Sequence, residues 1–116
     1  MPQTTARFGA VNNLGTTYVR VGPAVPAATV WNTLINVTNR TGAPSNFRGY
    51  IADNTWASGE PTSGAGLIAA FAYDSPIAAG QVFQVSFIVL NAGEQLVVRA
   101  SVASSLDVIA DGIANT

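Results

Sequence analysis

From Thr16 onward the chain alternates hydrophobic and polar positions in short runs separated by turn residues, the two-residue period of half-buried β-strands. Thr16 to Val21 is the first run, with Val19 and Val21 on one face against Tyr18 and Arg20, and Gly22-Pro23 stops it. Val30 to Thr38 alternates most clearly: Trp31, Thr33, Ile35 and Val37 fall on one side, and Val30, Asn32, Leu34 and Asn36 on the other. The cluster Asn39-Arg-Thr-Gly-Ala-Pro44 predicts a turn, and Phe47 to Asp53 the next strand, with Phe47 and Ile51 sharing a face. Leu67 to Tyr73 fits a helical turn or a strand. Its alternating aromatics favour a strand that ends at Asp74-Ser-Pro76. Gln81 to Leu90, Gln95 to Val102 and Leu106 to Ala110 complete the set, with Asn91-Ala-Gly93 as a hairpin turn.

These runs predict an all-β fold: a single antiparallel β-sandwich or jelly-roll-like domain of about seven short strands. Two segments stand outside the pattern. Residues 1–15 are polar and glycine-bearing, with Phe8, Val11 and Leu14 as their larger apolar side chains after Met1. They are expected to form an extended N-terminal arm ahead of a 16–116 sandwich domain, either disordered or docked on a neighbour. Asn54 to Gly66 reads as a long loop crowded with Gly, Pro and Ser and carrying Trp56; loops of this length in small domains are usually functional.

Composition then narrows the chemistry. All five basic residues are arginine, and the chain has no histidine or cysteine, so imidazole and thiolate catalysis, Schiff-base lysine, disulfides and Cys/His zinc sites are excluded. Asp53, Glu60, Asp74, Glu94, Asp107 and Asp111 could in principle pair for glycosidase chemistry, or Asp107 and Asp111 could bridge calcium. Each, however, sits at a strand end or turn, where acids serve solvation and local bonding. Gly64-Ala-Gly66-Leu-Ile-Ala69 has the shape of a dinucleotide fingerprint without the preceding strand or the βαβ unit. Asn36-Val-Thr38 and Asn39-Arg-Thr41 match the glycosylation pattern but read as strand-end and turn chemistry. No catalytic, cofactor or metal residue is expected.

Only 9% of residues are charged, against about 25% in an average soluble domain, and the formal net charge is −1. A monomer with so few charges is poorly protected against self-association, and charged residues are what interface cores lack. The expectation is a protein whose surface is covered in an assembly. Five scattered arginines make no basic patch for nucleic acid, and no apolar run approaches a membrane span. Met-Pro-Gln-Thr-Thr lacks the basic and apolar regions of a signal peptide, so synthesis and use without Sec export are expected. Trp56, with Tyr50 and Tyr73 not far away in sequence, could stack on a sugar, hold a neighbouring subunit, or plug an open end of the sandwich.

Val25-Pro-Ala-Ala-Thr29, Ile35-Asn-Val-Thr-Asn-Arg-Thr41, Ile51-Ala-Asp53, Ser75-Pro-Ile-Ala-Ala-Gly80, Leu90-Asn-Ala-Gly-Glu-Gln-Leu-Val-Val-Arg-Ala-Ser101 and Val108-Ile-Ala-Asp-Gly112 follow one another in order. Over residues 25–112 this resembles a loose group of small β-sandwich virion structural proteins of tailed bacteriophages. Their shared plan is a strand with an Asn-Arg-Thr-type turn, an Ile-Ala strand and a Leu-x-Ala-Gly-Glu hairpin. The resemblance implies a non-enzymatic virion component, most simply a capsid decoration (cement) protein bridging capsomers; alternatives are a tail, baseplate or fibre component, or a glycan-binding sandwich. It implies other virion proteins as partners, a homo-oligomer with a trimer favoured, and localisation to the virion after assembly in a host cytoplasm. The residues expected to touch partners are Phe8, Val11 and Leu14 in the arm and Trp56 in the loop.

Overall fold

A computed structural model describes residues 2–116. Among the described residues there is no helix; eight strands run in the order β1 (Gln3–Leu14), β2 (Val19–Val21), β3 (Val30–Asn39), β4 (Ser45–Ala52), β5 (Leu67–Ile77), β6 (Val82–Leu90), β7 (Gln95–Ala100) and β8 (Leu106–Asn115). They form two four-stranded antiparallel sheets, β1-β8-β3-β6 and β2-β7-β4-β5, hereafter the first and second sheets. The sandwich measures 44 × 32 × 17 Å, the thin dimension being what two sheets about 10 Å apart require.

The core follows the alternation. Ile35 and Val37 of β3 point inward beside Val108 and Ala110 of β8, and meet Phe47 of β4 and Leu96, Val98 and Ala100 of β7 across the sandwich. The Phe47 ring sits at the middle, 6.0 Å from Phe83 and 6.2 Å from Phe71. Buried hydroxyls are paired: Ser45 and Ser105 lie 2.8 Å apart, and Ser105 donates to the Val102 carbonyl at 2.7 Å. Among the described residues no buried side-chain polar atom lacks a partner.

The strand additional to the expected seven, β1, is the segment expected to be an arm. Residues 3–14 are β1, paired with β8 from Gln3–Asn115 to Leu14–Leu106, so no boundary separates them from the sandwich. The alternation test misses β1 because bulges between Arg7 and Gly9 and between Val11 and Leu14 reset which face the side chains take. The apolar residues therefore recur every third position, at 8, 11 and 14, yet all reach the same core. Close backbone contact ties β1 down as well: a Cβ on Gly9 would lie 2.4 Å from the Gly22 nitrogen, and one on Gly22 2.4 Å from the Phe8 carbonyl oxygen.

Two strand ends also run past their expected stops. β5 continues through Asp74-Ser-Pro76 to Ile77, because it is an edge strand where proline's missing N–H costs no ladder bond. β8 continues through Asp111-Gly112 to Asn115, held between β1 and β3. The first predicted run shrinks to Val19–Val21.

Candidate interaction surface

The two outer faces differ in chemistry. On the second sheet, Arg48 of β4 and Arg99 of β7 are cross-strand neighbours, and Tyr50 pairs with Val97. Asn54 to Gly66 folds over this face, closed at its base by the Asp53 N–H donating to the Gly66 carbonyl at 2.8 Å. The Trp56 ring packs with Tyr18, Tyr50, Ala52 and Val97 in a small second core, its indole N–H donates to the Gly59 carbonyl at 2.8 Å, and Gln95 donates to the carbonyls of Asp53 and Trp56. Of the readings open for Trp56, covering the sandwich is the one its contacts match. It closes the outer face of a sheet rather than an end.

Arg48 locks the loop down. Its guanidinium forks onto Asp74 at 2.7 and 3.0 Å and donates to Glu60 at 3.1 Å and the Tyr18 hydroxyl at 3.0 Å; the Tyr50 hydroxyl donates to the same Glu60 oxygen at 2.5 Å. The guanidinium also lies 4.0 Å from the centre of the Tyr73 ring. The hydrogen bonds to Asp74, then to Tyr18, raise Arg48 above its ordinary range, and the same pair holds the Asp74 carboxyl below its own. Burial, then the bond to Glu60, pushes the Tyr50 phenol up. These groups bind one another, so the cluster fastens the loop to the sheet. Of the aromatic trio weighed for sugar stacking, Tyr50 is buried, Trp56 is committed to the loop, and Tyr73 has Arg48 over its ring.

The outer face of the first sheet mixes polar side chains such as Asn32, Asn36 and Gln84 with exposed apolar ones. Val30 and Leu34 of β3, Val82 and Val89 of β6 and Ile113 of β8 are all exposed there. Phe87 stands out among them at 80% exposure, with φ at +62°. Between Thr33–Ile88 and Ile35–Val85 the ladder of β3 and β6 slips by one residue, so Ser86 and Phe87 together oppose Leu34. This bulge is what turns Phe87 outward. Plain alternation from Phe83 and Val85 would have buried it. A bulky residue in the left-handed region costs on the order of 1–3 kcal/mol, and such strain persists where the surroundings impose it. Phe87 forms one wall of a shallow open groove of about 550 Å³, lined also by Thr5, Asn32, Leu34, Asp111 and Ile113.

The charges bordering this face are already paired. Arg7 donates to Asp111 at 2.6 Å; Arg40 binds Asp107 and donates to the Asn13 amide oxygen at 2.6 Å. The bond from Arg40, then that from the Asn13 N–H, holds Asp107 below the usual carboxylate range. Asp107 and Asp111, weighed as calcium ligands, are thus each taken by an arginine. Among the described residues no three His, Cys, Asp or Glu side chains gather as a metal site.

The expected partner-binding residues fall elsewhere. Phe8 and Leu14 are 5% and 1% exposed and Val11 packs on the same core, so the three fasten β1 to its own sandwich. The Phe8 ring meets Trp31 edge-on at 5.2 Å. The exposure of Phe87 is not legible in the sequence because Val85 to Leu90 is apolar on both strand faces except at Ser86, leaving no other polar residue to mark which side is out. No family model matches the chain, and no curated protein matches its sequence.

Proposed function

We propose that the chain is a non-enzymatic structural subunit of a tailed-phage virion, a capsid decoration protein, that works through the exposed apolar side chains on the outer face of its first sheet. The observation that carries the reading is Phe87, an aromatic side chain held in solvent by a strained bulge among Val30, Leu34, Val89 and Ile113. Contiguous exposed apolar surface on a small domain marks an interaction site. The scarcity of charge supports the same reading, as does the resemblance over residues 25–112. The contact is made by a rigid sheet face rather than by a flexible arm: through it subunits associate on the shell, many small contacts being repeated by symmetry.

Counting and locating the protein on purified particles tests this role. Hundreds of copies spread over the shell support decoration. A handful at one vertex or at the tail tip replaces it with a tail, baseplate or fibre component, and absence from particles overturns the virion reading.

A further inference from the structure

We infer that the partner on the first-sheet face is a second copy of this chain, related by a two-fold axis, with Phe87 of each copy seated in the groove of the other. The inference rests on the covered-face reading above and names its occupant.

Phe87 is both the knob and one wall of the groove, so the two share one face, which is what an isologous contact requires: the same patch must serve as donor and receiver. The groove, at about 550 Å³, exceeds the roughly 150 Å³ in which a protein cavity accommodates benzene, so its volume is sufficient for an aromatic ring. Charge permits self-stacking. β3 and β6 contain no charged residue, and the acids of β8 are each neutralised within the chain, Asp111 by Arg7 and Asp107 by Arg40. Two copies brought face to face therefore set no unpaired like charges against each other. Area permits it too. Four strands about 4.8 Å apart and roughly nine residues long at about 3.3 Å each give a face of about 500–600 Å² in projection, more once side-chain relief is counted. A standard interface takes about 800 Å² from each partner.

The edge of β6 points the same way. An edge strand without charge or proline normally invites pairing with another strand, and β6 has neither. Its bulge breaks the row of free backbone groups and turns the local twist, so the association it favours is through the side-chain face rather than by sheet extension.

Sedimentation of the full chain from nanomolar to high micromolar concentration tests the inference. Wild type should reach twice the chain mass, reversibly. Phe87→Gly removes the knob and suits the positive φ, so it should keep or raise the unfolding temperature while weakening association at least about thirtyfold, the size of an aromatic hot spot. Leu34→Gln, on the groove wall, should weaken it similarly; Tyr73→Ala, on the other sheet, should leave it unchanged. A wild type that stays monomeric throughout, a three-fold oligomer, or a dimer indifferent to both Phe87→Gly and Leu34→Gln overturns the inference. Because isolated protein is used, a monomer that still populates particles would overturn this contact and leave the virion role standing.

Discussion

Asn39 offers a sharp test of how the fold is held. It is fully buried at the end of β3, and its side chain makes four hydrogen bonds. The amide nitrogen donates to the carbonyls of Ala43 at 2.8 Å and Ile77 at 2.9 Å, and the amide oxygen accepts from the Thr41 N–H at 2.9 Å and the Thr41 hydroxyl at 2.7 Å. The Asn-Arg-Thr turn is thereby closed locally and tied to the last residue of β5, in the opposite sheet. Asn39→Ala removes all four bonds and leaves the Ile77 carbonyl without its buried amide donor. With a net contribution of about 0.5–1.5 kcal/mol per bond and about 1–3 kcal/mol for a stranded buried group, the loss should be at least about 3 kcal/mol. That is a large fraction of the roughly 5–15 kcal/mol typical of a domain.

Urea denaturation followed by tryptophan fluorescence reads this directly, with Asn36→Ala as the comparison. Asn36 is partly exposed and accepts one bond, from Gln84 at 2.9 Å, so its loss should cost under about 1 kcal/mol. Asn39→Asp adds a pH signature: the new carboxyl would face two carbonyl oxygens, its folded-state pKa would rise, and the variant should recover stability relative to wild type as pH falls. An Asn39→Ala loss no larger than that of Asn36→Ala would refute the claim that this turn joins the two sheets.

Arg48→Met keeps the stem but removes the guanidinium that holds Glu60, Asp74 and Tyr18. Because the partners are half exposed, global stability should fall by only about 1 kcal/mol, while limited proteolysis within residues 54–66 should speed up severalfold; an unchanged cleavage rate would contradict the lock. Asp53, Asp74 and Asp107 all sit below the ordinary carboxylate range, through bonds from Thr55, Arg48 and Arg40 respectively. The unfolded chain therefore binds more protons than the folded one in acid, so stability present above about pH 5 should decline as pH drops toward about 2. Arg40→Gln should flatten that decline in a urea series; an identical pH slope would argue against the Asp107 pairing.

The alternation of β3 was readable because a central strand of a sandwich keeps one face dry along its whole length, and Ile35 and Val37 mark it. β1 was not, because its two bulges convert a period of two into a spacing of three at Phe8, Val11 and Leu14. The same cause hid Phe87. A bulge is a property of the ladder between two strands, and within Val85 to Leu90 nothing polar except Ser86 reports which side faces water. Trp56 stayed ambiguous for another reason. The Gln95 side chain that holds its carbonyl is 39 residues away, and Val97, against which it packs, lies on the same distant strand. Arg40 and Arg48 lie to either side of residues 41–47, but the acids they bind, Asp107 and Asp74, reach them only through strand register.

Hydroxyl-radical footprinting at low and high protein concentration tests most directly whether the first-sheet face is covered by neighbours. Phe87 and Tyr73 are both exposed aromatics on opposite sheets, at 80% and 58%, and so form an internal comparison. The account predicts that oxidation of Phe87 falls steeply as the protein assembles while that of Tyr73 stays constant. Equal oxidation of Phe87 at every concentration, or protection shared evenly by both residues, would contradict it.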